Sequence, residues 1–468
     1  MDKGSDSTAL YLDPVDMSVT SAFKMALPLV ATSFVFCLIG AVDMALAGWQ
    51  SAAAQAAVGV ADQCIFATML VGTGLAAATG CFVSQAIGAR SLSHACRYAL
   101  DGLAFAALFG VLSSIVCFGA ADFLVKFFGC SQASQVVALP YLQICAVGNL
   151  PFMIVIVQAA ILRAIGKTAD CLRMWSFIGV VSIAGGLALY AIDGLPWSHS
   201  ISSLAIAWDL GAIVGVAFAS VVLHRTFFRR ARAMRFAPSE PANWRQRMLA
   251  FSQVGLPVLL SEACSIASLA AVYAILGRLP DNDNLQAAYT VTLKIEETFG
   301  ILPLVAVSTV SATLVGHQVG ANMCARARTL GWQLALASTG IMLICGIFVG
   351  TAGPALAELF SEEQAVISAV EVGTASATIS MPLIAFASIL FANLEGAGKT
   401  TLPLAAQFAG YVVCRIPLAY LLAVQMQLGY AGIWLAIIIS RAGMAIFALL
   451  VYRSGFPAKG ALNLLTAD

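Results

Sequence analysis

The chain has 468 residues, of which 60% are hydrophobic and only 10% charged, with a formal net charge of +1. A soluble domain carries about 25% charged residues, so this composition excludes one, and near-neutrality implies no nucleic-acid partner. Apolar runs of about 20 residues match a ~30 Å hydrocarbon core and read as helices, whereas the ~10-residue alternation of a membrane barrel is absent.

The first twenty residues are polar and mixed in charge, so no cleavable signal peptide is expected and the first spanning helix directs insertion. Twelve spans are predicted: 22–48, 57–86, 95–118, 134–162, 172–192, 203–224, 248–276, 287–318, 331–352, 365–394, 402–425 and 430–452. The fold class is thus an all-α integral membrane protein, with twelve transmembrane helices in two six-helix bundles. The expected division is a cytoplasmic N-terminal segment 1–21, a first lobe 22–224, a basic linker 225–247, a second lobe 248–452 and a tail 453–468. The twelve cysteines lie far apart without a CxxC pair and read as small apolar fillers of helices, and the four histidines have no metal spacing.

Lys and Arg set the orientation. The even-numbered loops and their flanks carry Arg90, Arg97, Arg163, Lys167, Arg173, Arg326, Arg328 and Lys399, and Arg453 and Lys459 follow the last span. The odd-numbered loops carry only Lys126 and Arg278, and lean acidic through Asp122, Asp193, Asp281, Asp283, Glu358, Glu362 and Glu363. The positive-inside rule places both termini in the cytoplasm of a cell whose inner (plasma) membrane the chain crosses. Seven arginines between Leu223 and Arg247, with Pro238 and Pro241, read as a cytoplasmic linker between the lobes rather than a nucleic-acid patch.

The two halves repeat each other. QAIGAR at Gln85–Arg90 returns as QVGAN at Gln318–Asn322, and LRAIGKT at Leu162–Thr168 returns as LEGAGKT at Leu394–Thr400. Gly88 and Gly320 are 232 apart, as are Gly166 and Gly398, and Leu27–Pro28 answers Leu256–Pro257 at an offset of 229. Six spans separate the copies, so both enter from the same side, as a parallel repeat about an axis along the membrane normal.

These pieces carry a resemblance. VDMALAG (Val42–Gly48), AVGVADQ (Ala57–Gln63), VSQAIGARSLSHACR (Val83–Arg97) and LRAIGKT lie in the first half. The second half has GLPVLLSEA (Gly255–Ala263), LKIEETFGILP (Leu293–Pro303), LVGHQVGANMCARA (Leu314–Ala327), LEGAGKT and RIPLAYLLA (Arg415–Ala423). In order, spacing and double occurrence they resemble the motifs of the multidrug and toxic compound extrusion (MATE) family, over nearly the whole chain. The resemblance implies two six-helix lobes, no enzymatic activity, and antiport in which organic, often cationic, compounds leave as H⁺ or Na⁺ enters. It further implies coupling carboxylates at Asp43 on the first helix, at Glu262 on the seventh, and at Glu296 in the segment like the family's RIE. Two departures stand out. The fifth helix has Ser182 and Gly186 where many members have Asn and Asp, which shifts the expected coupling chemistry to the second lobe. Lys167 and Lys399 occupy turns where Asp is usual.

The residues point the same way. A charge at the bilayer centre costs ~2.5–3.5 kcal/mol on insertion scales, so an acid there suggests a use. Glu262 is expected about 21 Å into its helix and Glu296 about 14 Å. Lys294 and Glu297 are i,i+3 and expected to neutralise each other, leaving Glu296 the freer acid. Asp62, 232 before Lys294, reads as a secondary candidate near the outer mouth. Arg415 and Arg441 are expected to snorkel or to bond backbone carbonyls. Asp101 and Asp209, near segment ends, receive no role, and Glu371 and Glu395 read as interfacial. GAGKT at Gly396–Thr400 lacks the Gly that a phosphate-binding loop needs at the position of Asn393. No HExxH, GxSxG or paired intramembrane aspartates appear, which weighs against an intramembrane enzyme.

The expected protein is therefore a monomeric, cation-coupled antiporter in the lipid bilayer. It needs no cofactor or metal beyond its coupling ion, H⁺ or Na⁺, and acts on a small organic substrate. The alternative is a flippase of lipid-linked glycans from the related superfamily, which needs several basic residues for a diphosphate.

Overall fold

The computed structural model describes residues 18–127, 132–192, 200–230, 244–358, 363–454 and 456. The N-terminal segment through 17, most of the basic linker (231–243, with both its prolines), Asp193, Glu362 and Lys459 fall outside the described residues. Among those described, twelve helices are long and apolar enough to cross a membrane. We label them α1 (Val19–Gln50), α2 (Ala52–Gly88), α3 (Leu92–Phe127), α4 (Gln132–Ala164), α5 (Thr168–Ala191) and α6 (Ser202–Phe228). They continue as α7 (Trp244–Leu276), α8 (Asn282–Gly320), α9 (Cys324–Ala357), α10 (Gln364–Gly396), α11 (Thr401–Gln425) and α12 (Gly429–Ser454). Most run further than hydropathy predicts, because flanking polar residues such as Lys126 and Gln132 are compatible with a helix that continues beyond the apolar stretch.

The chain divides into two compact units, Leu27–Gly255 and Leu256 onward, the latter joined by the start of α1 up to Ala26. In the first unit α4 packs against α2, α3 and α6; in the second α10 packs against α8, α9 and α12. Adding six to each helix number converts one set of neighbours into the other, so the duplication extends from motifs to packing.

The repeated motifs form the same turns. After α2, Ala89, Arg90 and Ser91 donate backbone hydrogen bonds to Gln85, Ile87 and Ala86; after α8, Ala321, Asn322 and Met323 donate to His317, Val319 and Gln318. Arg90 (φ 55°) and Asn322 (φ 58°) take the left-handed position of these two turns. After α4 and α10 that position falls to Gly166 (φ 78°) and Gly398 (φ 82°), where the missing Cβ removes the steric penalty.

Small residues let the helices approach where lipid supplies no hydrophobic drive. Gly346, Gly350 and Gly353 on α9 face Thr374 and Thr378 on α10, and Thr378 donates to the Gly346 carbonyl at 3.0 Å. At Gly396 on α10 a Cβ would run into the backbone of Ala312 on α8. Gly396→Ala is expected to destabilise by ~1–3 kcal/mol, read as a lower thermal unfolding midpoint in detergent. An unchanged midpoint would mean that the two helices part easily.

Among the described residues α6 ends in a π-helical stretch, His224–Phe228, and α8 and α11 leave α geometry within their spans. In α8 a π-helical stretch, Glu297–Ile301, precedes Pro303, and in α11 another, Phe408–Arg415, precedes Pro417. Proline lacks an N–H and crowds the carbonyl four residues back, which loosens the hydrogen-bond ladder there. The consequence is local: both stretches adjoin buried charges, Glu296 and Arg415.

Candidate functional site

In the first unit the apolar core around Tyr141 and Cys145 is built from α1, α2, α3, α4 and α6, with small residues such as Ala47, Ala61 and Ala205 allowing close approach. Three carboxylates border it. Asp43 on α1 and Asp62 on α2 lie within electrostatic reach of each other and of Tyr141 and Cys145. Asp209 on α6 acts on Cys145 as well. Asp43 and Asp209 lie ~10 Å along their helices from Gln50 and Ser202, and Asp62 ~15 Å from Ala52; what the three share is Cys145, on which each acts. No ion pair among the described residues involves any of them. Asp209 packs on Gly148, whose missing Cβ leaves room for the carboxylate, and its Oδ1 is buried without a hydrogen-bond partner. Ser182 of α5 abuts α6 at Gly211, two residues from Asp209, and its hydroxyl also lacks a partner.

In the sequence Asp209 lies near a segment end without a motif, and Asp62 reads as an acid near the outer mouth. The signal is depth: from the described helix starts, Ala52 and Ser202, Asp62 lies nearly three turns in and Asp209 about two. That calculation requires helix starts that hydropathy places only approximately.

The second unit treats its charges differently. Glu296 is 1% exposed and Arg441 grips it with two hydrogen bonds, Nη1 to Oε1 at 3.1 Å and Nη2 to Oε2 at 3.0 Å. Ser380 joins them, accepting from Arg441 at 2.7 Å and donating to Glu296 at 3.3 Å. The expectation that Glu296 is the freer acid is thereby corrected. Its partner lies 145 residues away on α12, beyond any local pattern. Arg441 and Arg415 do not snorkel: they are 7% and 9% exposed and bond side chains. The Lys294–Glu297 pair forms at 2.7 Å with both side chains substantially exposed. Glu262 is exposed, makes no ion pair or hydrogen bond among the described residues, and lies within electrostatic reach of Glu395. Outside both units' acid sites, Asp101 on α3 holds Arg247 of α7 at 2.8 Å. Among the described residues, no group of three His, Cys, Asp or Glu side chains is arranged to hold a metal.

The family model MatE matches residues 28–192 and again 257–421, once in each half. The chain belongs to the MATE family. It resembles the uncharacterized transporter YisQ of Bacillus subtilis at 23% identity, over 92% of this chain and 93% of that protein. The probable multidrug resistance protein NorM of Rhodopseudomonas palustris is 24% identical over 96% of this chain and 95% of its own. A solved MATE in the bent conformation superposes with a TM-score of 0.83 at 20% identity, covering 96% of each chain. An outward-facing MATE transporter of the MOP superfamily gives 0.85 at 20%, covering 95% of this chain and 98% of that one. This MATE protein is accordingly a multi-pass membrane transporter with the twelve-helix fold of two six-helix bundles, belongs to a family of cation-coupled efflux transporters, and is not an enzyme.

Proposed function

We propose that this MATE protein exports organic cations or amphiphiles in exchange for H⁺ or Na⁺, with Asp43, Asp62 and Asp209 as the principal coupling acids. Glu262 is a second acid open to exchange, and both termini are cytoplasmic. The observation that carries this reading is the contrast between the two units. The first holds three carboxylates around Cys145 with no cationic partner among the described residues, whereas Glu296 in the second is already neutralised by Arg441. Only an uncommitted carboxylate can alternate between a drug cation and a coupling ion. In its charged state it holds the cation; once protonated or occupied by Na⁺ it releases it. The α6 acid stands in for the one that α5 lacks at Gly186.

The available drive is modest. One pH unit supplies ~1.4 kcal/mol, a tenfold gradient, and each net charge moved adds ~2.3 kcal/mol per 100 mV. Gradients of that order are sufficient for efflux if ion and drug compete for the same carboxylates. The flippase reading is weakened by the same geometry: Lys294 pairs with Glu297 and Arg441 with Glu296, which leaves too little free positive charge in these spans for a diphosphate.

Purified protein in proteoliposomes, loaded with a fluorescent organic cation, tests the proposal. An imposed pH or Na⁺ gradient is expected to drive dye movement against its own gradient, and an ionophore that collapses the gradient to stop it. Dye movement indifferent to both ions overturns the reading; translocation of a lipid-linked sugar without movement of any cation establishes the flippase instead.

A further inference from the structure

Arg415 is the unexplained charge of the second unit. It ends the π-helical stretch of α11 and is 9% exposed. Its Nε donates to the Ser440 hydroxyl at 2.9 Å, and its guanidinium carbon lies 4.7 Å from the centre of the Tyr411 ring. Both partners are neutral. Its Nη2 is buried and has no hydrogen-bond partner among the described residues. The carboxylate that acts on it electrostatically, Glu296, is already held by both terminal nitrogens of Arg441. The Nε of Arg441 is likewise buried without a partner.

Among the described residues, two guanidinium groups and one carboxylate leave one net positive charge at this place in the second unit. A guanidinium does not shed its proton to escape burial, and an uncompensated buried charge is strongly unfavourable. The unused donor defines what relieves it. A planar N–H edge matches a carboxylate, which accepts charge-assisted hydrogen bonds in that geometry. With a single charge to compensate, a monoanion fits and a diphosphate does not.

We infer that Arg415, set between Ser440 and Tyr411, is a binding site for the carboxylate of an amphoteric substrate, one bearing an organic cation and an acidic group together. The inference rests on the antiport reading for the kind of molecule that brings the carboxylate. Arg415 selects among cations by what else they carry.

Rhodamine B and its ethyl ester share one cationic dye and differ in a carboxylate, so they separate the two contributions. Equilibrium dialysis against the purified full-length protein in chloride-free buffer gives the dissociation constant of each. Arg415→Gln is expected to weaken binding of the carboxylate dye by about tenfold or more, the loss of a charge-assisted hydrogen bond, while leaving the ester unchanged. Arg415→Lys, which keeps the charge, is expected to restore part of the difference. Unchanged ester binding also reports that the variant is folded. Equal weakening of both dyes makes Arg415 a structural residue and overturns the inference, as does equal binding of the carboxylate dye by wild type and Arg415→Gln, or no saturable binding of it by wild type. Displacement of the carboxylate dye by low-millimolar chloride overturns it in favour of an inorganic anion. Dialysis reads binding alone, so its failure is distinct from failure of gradient-driven transport.

Discussion

Glu296→Gln is expected to destabilise the protein by ~3–5 kcal/mol, the cost of leaving one partner of a buried ion pair unmatched. The substitution keeps the side chain's shape and removes its charge. Arg441 then retains a full positive charge beside the already uncompensated Arg415, with Ser380 and a neutral amide oxygen as its acceptors. Thermal or denaturant unfolding in detergent measures the loss. Glu297→Gln, one residue on, breaks an exposed pair with Lys294 and is expected to cost no more than ~1 kcal/mol. Removing both charges, as Glu296→Gln with Arg441→Met, is expected to cost much less than the sum of the single changes, because neither charge is then stranded. A Glu296→Gln protein as stable as wild type but without gradient-driven transport would make Glu296 a coupling acid after all.

Asp43→Asn and Asp209→Asn are expected to act in the opposite sense, on transport and little on stability. Neither carboxylate has an ion-pair partner among the described residues, so neutralising it strands no cation. What is lost is the coupling between ion and drug. Coupling free energies of ~1–3 kcal/mol correspond to ~5–150-fold, and a fall in gradient-driven dye transport within that range is expected for each variant. Linkage is reciprocal: in wild type, raising H⁺ or Na⁺ concentration weakens equilibrium binding of the dye, and in Asp43→Asn that dependence flattens. Asp43→Asn protein with full gradient-driven transport and an unchanged ion dependence of binding would remove Asp43 from the mechanism.

The two predictions divide the acids as local sequence does not. Glu296 and Asp43 each match a family motif, and each interrupts an apolar span. What separates them is whether a cation on another helix reaches them. For Glu296 that cation is Arg441, four helices later; Asp43 has none among the described residues. Asp209, which the proposal adds, stands out less in the sequence. It has no motif, and its span is apolar enough that one acid near the start reads as a helix-end residue. The departure at Ser182 and Gly186 was legible, but that Ser182 packs on α6 two residues from Asp209 was not, because nothing local links the two helices.

Membrane class, helix count and duplication were determined by the chain itself. They rest on patterns within single segments: 20-residue apolar runs, turn motifs with a left-handed position, and an offset of 232 that recurs in both. Hydration and backbone sterics act residue by residue, so such patterns survive without knowledge of neighbours. The charge state of each site was decided by the tertiary structure alone. A buried carboxylate's behaviour depends on what lies within a few ångströms of it, and in a helical bundle those atoms come from other spans. Contacts between α8 and α12, or among α1, α2, α4 and α6, bring together residues that neither periodicity nor spacing connects.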